Sequence, residues 1–258
     1  MFSLSKWYLD CVGESGDAAI LYRASLRWGV LRLQYGAALV GPSTGKPTHR
    51  YTLRPESEPI AAADGTINWS CERLGARGTW TRRASPIKRT LLNGDQGGID
   101  WHCLCPRADA VVQIGEHVVR GSGYVEHLTM TLKPWQLPLD ELRWGRFLSP
   151  DDAMVWIGWG GASPRTWAWV NGSEARDATI TAHGVEMPSH GVALTVGGGR
   201  VLRTGQLAKT ALQPLRAAAA LIPRWRRASE TKWVARGTVT SPHRMINGWV
   251  VHEVVNWA

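Results

Sequence analysis

Two short segments of this 258-residue chain carry more polar and aromatic groups than strand packing needs. They are Asp100-Trp101-His102-Cys103-Leu104-Cys105-Pro106 and Gly121-Ser122-Gly123-Tyr124-Val125-Glu126-His127-Leu128, the second running on to Trp144-Gly145-Arg146. On a strand, residues two apart share a face, so Tyr124, Glu126 and Leu128 point together while His127 points oppositely. If Tyr124 faces the interior of a barrel, so does Glu126. Burial among apolar groups disfavours the anion, so the Glu126 carboxyl is expected to stay protonated. A protonated carboxyl beside aromatic rings suits acid chemistry on an alkene: the acid delivers a proton, and ring faces stabilise the carbocation by cation–π attraction.

Each of these residues also has a structural reading. Glu126 can be a rim carboxylate paired with an arginine, Tyr124 a packed ring, and His102 a hydrogen-bonded core histidine. His252 and Glu253 alternate across the last strand, so at most one faces inward, and either can close a barrel by pairing with arginine. Gly197-Gly198-Gly199 reads as a hairpin turn rather than a phosphate cradle, because no helix bearing Lys-Ser/Thr follows. Neither a serine nucleophile elbow nor a zinc-protease motif occurs. The acid chemistry expected at Glu126 is cofactor-free.

The elements that must position these groups are strands. Runs rich in β-formers and bounded by Gly, Pro, Asn and Asp recur from Trp7–Val12 through Ala18–Trp28, Leu31–Val40, Ile99–Cys105 and His117–Leu132 to Trp249–Trp257. The Ala-rich stretch Leu212–Leu221, stopped by Pro223, is the one short helix expected. The pattern amounts to about 18 strands, roughly twice the number in a lipocalin-type barrel. The fold class expected is all-β, with two tandem lipocalin-like antiparallel barrels over residues 1–134 and 135–258. Their seam falls in Lys133–Asp140, where two prolines interrupt strand pairing.

Composition narrows the partners. The chain has 15 Trp against 5 Tyr and 2 Phe, and indole suits barrel cores and apolar ligand walls. An apolar cavity lined by Trp101, Trp135, Trp144 and Trp159 is expected, holding a hydrophobic small molecule. The net charge of +9 permits weak association with a membrane surface. The positive residues are scattered, however, the densest group being Arg224, Arg226 and Arg227 around Trp225, and no nucleic-acid-binding motif accompanies them. Cys11, Cys71, Cys103 and Cys105 lack metal-ligand spacing. The Cys103-x-Cys105 pair should point to one face of its strand, which disfavours a local disulfide. Free thiols without a metal are expected, in a cytoplasmic protein with neither signal peptide nor membrane span.

The same residues carry a family resemblance. Trp101-His102 followed by Pro106, then Gly121-x-Gly123-Tyr124-x-Glu126, with Trp144-Gly145 further on, resembles the carotenoid 1,2-hydratase (hydroxyneurosporene synthase) family. That family is similar in turn to the AttH and tocopherol-cyclase-like group of double lipocalin-type barrels. The opening Lys6-Trp7-Tyr8-Leu9-Asp10 and the closing Gly248–Trp257 also resemble parts of the pattern, so the likeness spans most of the chain. It implies that Glu126 protonates an isoprenoid double bond, with Tyr124 its neighbour and Trp101 and His102 in support, and that water captures the cation. The chain departs from the pattern in having Glu where the family has Asp, and in making the tryptophan and histidine adjacent, so that they point to opposite faces. Asp10 and Glu253 are the next candidate acids.

Two functions from different classes follow. One is a cofactor-independent hydratase, cyclase or isomerase acting on an apolar isoprenoid-like alkene. The other is a carrier whose barrels hold a lipophile unchanged, since a fold does not dictate chemistry.

Overall fold

The structure is a computed structural model in which residues 1–210, 213, 224 and 227–257 are described. It is all-β, with two tandem lipocalin-like antiparallel sheets in two compact units, Met1–Leu137 and Pro138–Ala258. The helix expected over Leu212–Leu221 falls, apart from Gln213, outside the described residues, as do Trp225 and Arg226 of the arginine cluster. Among the described residues, no helix is long and apolar enough to cross a membrane.

The first unit contains β1 (Phe2–Gly13), β2 (Ala18–Trp28), β3 (Leu31–Gly41), β4 (Thr48–Thr52), β5 (Ile60–Ala61), β6 (Ile67–Cys71), β7 (Ala76–Arg82), β8 (Ile87–Leu92), β9 (Ile99–Ile114) and β10 (His117–Met130). The second contains β11 (Glu141–Leu148), β12 (Ala153–Gly160), β13 (Arg165–Val170), β14 (Ser173–Glu174), β15 (Thr179–Ile180), β16 (Gly184–Met187), β17 (Val192–Gln206), β18 (Ser229–Ser241) and β19 (Arg244–Asn256). The hydrogen-bonded orders are β4-β3-β2-β1-β10-β9-β7-β6-β5 and β14-β13-β12-β11-β19-β18-β17-β16-β15, with β8 pairing the other half of β9. The two orders are one topology used twice. In each, a four-strand meander begins the unit and its first strand pairs with the unit's last.

The first hairpin of each unit aligns the two copies. Gly13 N donates to Asp17 O and Ser149 N to Asp152 O, both at 2.9 Å, and the terminal rungs are Val12↔Ala18 and Leu148↔Ala153. Counting back four residues makes Tyr8 equivalent to Trp144. Their cross-strand partners on the last strands are Glu126 and Glu253. Gly197-Gly198-Gly199, expected as a hairpin turn, instead lies inside β17, where the register against β18 shifts between Val196 and Gly199. Small residues there let one strand bulge and pair along the whole of β18.

Along the middle of the first sheet, both faces are buried. Trp7, Leu9, Cys11, Ala19, Leu21 and Val125 belong to the hydrophobic core cluster. Tyr8, Asp10, Val12, Ile20, Tyr22 and Tyr124 alternate with them and are buried as well. This double burial explains why β1 reads as a continuous run from Trp7 rather than as an alternating one.

Candidate active site

The pairing of β1 with β10 builds a square of two tyrosines and two acids. Tyr8 lies opposite Glu126 and Asp10 opposite Tyr124. Within each strand, the tyrosine donates to the acid two residues on: Tyr8 Oη to Asp10 Oδ2 at 3.0 Å and Tyr124 Oη to Glu126 Oε2 at 2.7 Å. The two phenol rings meet edge to face with centroids 6.0 Å apart, and Tyr22 adds a second edge contact to Tyr8 at 5.4 Å. Glu126 keeps 9% exposure while Asp10 and Tyr124 keep none, so Glu126 is the outermost polar group of the square. Tyr124 and Glu126 share a face as the period of two demands. That face is the one opposite the core cluster of Val125, Trp7 and Leu9.

Strand β9 supplies two further members. Trp101 Nε1 donates to Glu126 Oε2 at 2.6 Å, so one carboxylate oxygen receives both an indole and a phenol hydrogen. Cys103 is the cross-strand partner of Glu126 and lies near Tyr124. Burial pushes the Tyr124 phenol well above its usual range, with nearby Cys103 and Glu126 acting in the same direction, so it remains a donor. Burial likewise pushes the Cys103 thiol well up. The expectation that Cys103 and Cys105 share a face fails. The register runs Val125↔Cys105 and then Glu126↔Cys103, so Leu104 is an extra residue on β9. This bulge turns Cys105 into the core cluster and Cys103 toward the acid. All four cysteines are free and buried.

The glycines of Gly121-Ser122-Gly123-Tyr124 have a packing role. A Cβ at Gly123 would stand 2.5 Å from Ala110 Cβ and 2.6 Å from Trp80 Cδ1, and one at Gly121 would strike the Val12 carbonyl. The bare backbone at Gly123 lets the fully buried Trp80 ring pass beneath β10 and donate Nε1–H to Asp10 O at 2.7 Å. The motif thereby anchors the backbone of one acid and leads directly into the strand segment bearing the other.

The remaining expected site residues lie elsewhere. His102 pairs with His127 across the ladder, and His127 stacks on Trp7 at 4.3 Å. His102 therefore faces away from Glu126 and does not orient the acid, because it is one residue from Trp101 on a strand. Burial lowers its pKa, with the cations of Lys88, His127 and Arg82 adding to the effect. The buried His102 Nε2 and Trp7 Nε1 make no hydrogen bond. Trp135 sits in a 3-10 turn against Trp28 and Phe2, with centroids 5.1 and 6.4 Å away. Phe2 is six residues along β1 from Tyr8, roughly 20 Å. Trp144 lies under the Lys232 ammonium at 4.9 Å, and Trp159 meets Trp167 edge-on at 5.0 Å. Of the four expected wall tryptophans, Trp101 touches the acid. An open groove of about 390 Å³ in the first unit is lined by Glu58, Trp69, Arg77, Gln113, Arg120 and their neighbours, and by none of those four.

Comparison with solved structures decides the fold. CghA superposes with a TM-score of 0.62 at 11% identity, covering 99% of this chain and 88% of that one. A putative AttH from Nitrosomonas europaea gives 0.58 at 10%, covering 100% and 93%. The chain has the AttH-like fold. Kievitone hydratase from Nectria haematococca, at 0.50 and 10% identity, covers 98% and 88%. No family model and no curated protein sequence matches the chain. At these identities the likeness is one of fold.

Half of that square, Tyr8 with Asp10, has no site role in the reading from sequence, although Asp10 ranks there as a reserve acid. The signal was present: Tyr8-Leu9-Asp10 and Tyr124-Val125-Glu126 are the same tyrosine-x-acid spacing on the first and last strands of one unit. Only the β1–β10 pairing turns two distant copies into neighbours.

Proposed function

We propose that this protein is a cofactor-independent, acid-catalysed enzyme of hydratase type, acting on the double bond of an apolar isoprenoid-like substrate, with Glu126 as proton donor. One observation carries the reading: a buried carboxyl whose Oε2 receives hydrogen bonds from Trp101 Nε1 at 2.6 Å and Tyr124 Oη at 2.7 Å, on a face built from aromatic rings. Donating its proton leaves Glu126 as an anion. The two fixed donors then strengthen as charge develops, so they stabilise the transition state more than the ground state. In this reading the rings of Tyr8, Tyr22 and Tyr124 beside the acid stabilise the substrate cation. Another protein of this fold bears the name kievitone hydratase, which is consistent with water addition on such a scaffold. His102, on the opposite face, has no part in the step.

Glu126→Gln keeps the shape and removes the acid. With linear isoprenoid alkenes as substrates and mass spectrometry of the products, turnover should fall roughly 10²–10⁴-fold while affinity for the alkene stays near that of the wild type. Unchanged turnover in Glu126→Gln would move the acid elsewhere. Saturable binding of the alkenes by the wild type with no product would replace the enzyme by a carrier.

A further inference from the structure

We infer that Asp10 is the base that completes this reaction, taking the proton of the attacking water while Glu126 supplies the proton to carbon. The inference rests on the reading of Glu126 as donor. Asp10 repeats the local chemistry of Glu126: it is fully buried, lies on the same face, and accepts from the tyrosine two residues before it on its own strand. Its backbone is fixed by the Trp80 indole. Asp10 and Glu126 are diagonal neighbours on an antiparallel pair, a placement that separates Cβ atoms by roughly 7–8 Å or somewhat less. Carboxyl pairs that act as acid and base across a water stand roughly 6.5–9.5 Å apart, a separation that side chains on such Cβ atoms can span.

The fold itself does not require the second acid. In the second unit the hairpin alignment places Arg146 where the first has Asp10, and Val251 where it has Tyr124. The paired tyrosine–acid couples are thus a property of the β1–β10 ladder and not of the topology.

The step balances without a co-reactant other than water. The Glu126 O–H bond breaks and a C–H bond forms, leaving a cation at the more substituted carbon. A water oxygen forms the C–O bond as its O–H bond breaks, and that proton passes to Asp10. One proton has left Glu126 and one has reached Asp10, so the return of that proton, through hydroxyls or solvent, resets the pair. The net reaction is addition of H and OH across the double bond with no change in overall redox state.

The test uses the full chain in D₂O with a linear isoprenoid bearing a terminal trisubstituted double bond, following both alcohol formation and deuterium in recovered alkene. In Asp10→Asn, alcohol formation should fall by roughly 10²-fold, while recovered alkene still gains deuterium, because the cation forms and returns its proton to Glu126. Glu126→Gln should lose both signals. Tyr8→Phe, which removes the hydroxyl donated to Asp10, serves as a second variant and should lower alcohol formation with exchange retained. Wild-type alcohol formation in Asp10→Asn and Tyr8→Phe overturns the role of Asp10 and leaves that of Glu126 standing. Wild-type turnover in Glu126→Gln overturns the reading of Glu126 instead. Binding of a tertiary alkylammonium mimic of the cation gives a readout that needs no turnover: Asp10→Asn should weaken it about tenfold or more, and equal affinity in wild type and variant overturns the inference.

Discussion

The β1–β10 ladder of the first unit and the β11–β19 ladder of the second occupy the same place in the same topology, yet they surround their glutamates differently. Glu126 accepts from the Trp101 indole and the Tyr124 hydroxyl. Its equivalent, Glu253, is held by the ammonium of Lys232, which itself lies over the Trp144 ring and is 1% exposed. The arginine expected as the partner of Glu253 is thus replaced by lysine. Beside this pair, Arg203 grips Glu230 through Nε at 2.7 Å and Nη2 at 2.9 Å, and Arg146 Nη1 donates to Trp249 O at 3.0 Å. A carboxylate fixed against a buried cation favours the charged form and serves structure. On the proposed reading, the glutamate that accepts from a hydroxyl and an indole is the one that exchanges a proton with a substrate. On that reading the same strand pairing serves a reactive acid in one unit and a structural one in the other, according to the side chains that the neighbouring strand presents.

The sharpest way to break this comparison is to remove both acids. Glu253→Gln should leave Lys232 buried without its carboxylate and lower stability by about 3–5 kcal/mol, read as a shifted urea midpoint. Glu126→Gln, expected to lower turnover, should change the same midpoint far less. Equal losses of stability would mean that both glutamates are structural and would remove the distinction between the units.

A smaller effect concerns pH. His252 stacks on Trp233 at 4.8 Å, and burial, with the Lys232 charge adding to it, lowers its pKa from 6.5 to about 4. The unfolded chain then binds a proton that the folded chain refuses across that interval. Stability is complete above about pH 6.5 and is lost as pH falls toward 4, by up to roughly 3 kcal/mol. His252→Phe keeps the ring stack and abolishes the titration, so denaturant midpoints at pH 7 and pH 4.5 should differ less than in wild type. An unchanged pH dependence in the variant would place the acid sensitivity elsewhere.

The least disruptive change tests the scaffold of the square. Gly123→Ala drives a methyl group into Ala110 and Trp80, and such overpacking costs about 1–3 kcal/mol. Because Trp80 donates to the Asp10 carbonyl, near-UV circular dichroism should change along with the urea midpoint. No change in either would show that the glycine is not what seats Trp80.

What the sequence alone determined here is whatever depends on neighbours one or two residues apart. The period of two put Tyr124 and Glu126 on one face and Trp101 and His102 on opposite faces, and the structure agrees, because the pleat is a local property of the backbone. The all-β class followed from β-formers and turn residues in the same local way. Tertiary structure decided everything that rests on pairing across the chain. Asp10 meets Tyr124 through a ladder linking residues more than a hundred positions apart, and no local rule sets that register. The bulge at Leu104 separates Cys103 from Cys105 because β9 must match β10 on both sides of it. Which face of β10 joins the core cluster was likewise undetermined by alternation, since both faces of the ladder are buried. The chemistry assigned to each glutamate follows from the strand alongside it: Trp101 and Cys103 on β9 in one unit, Lys232 on β18 in the other.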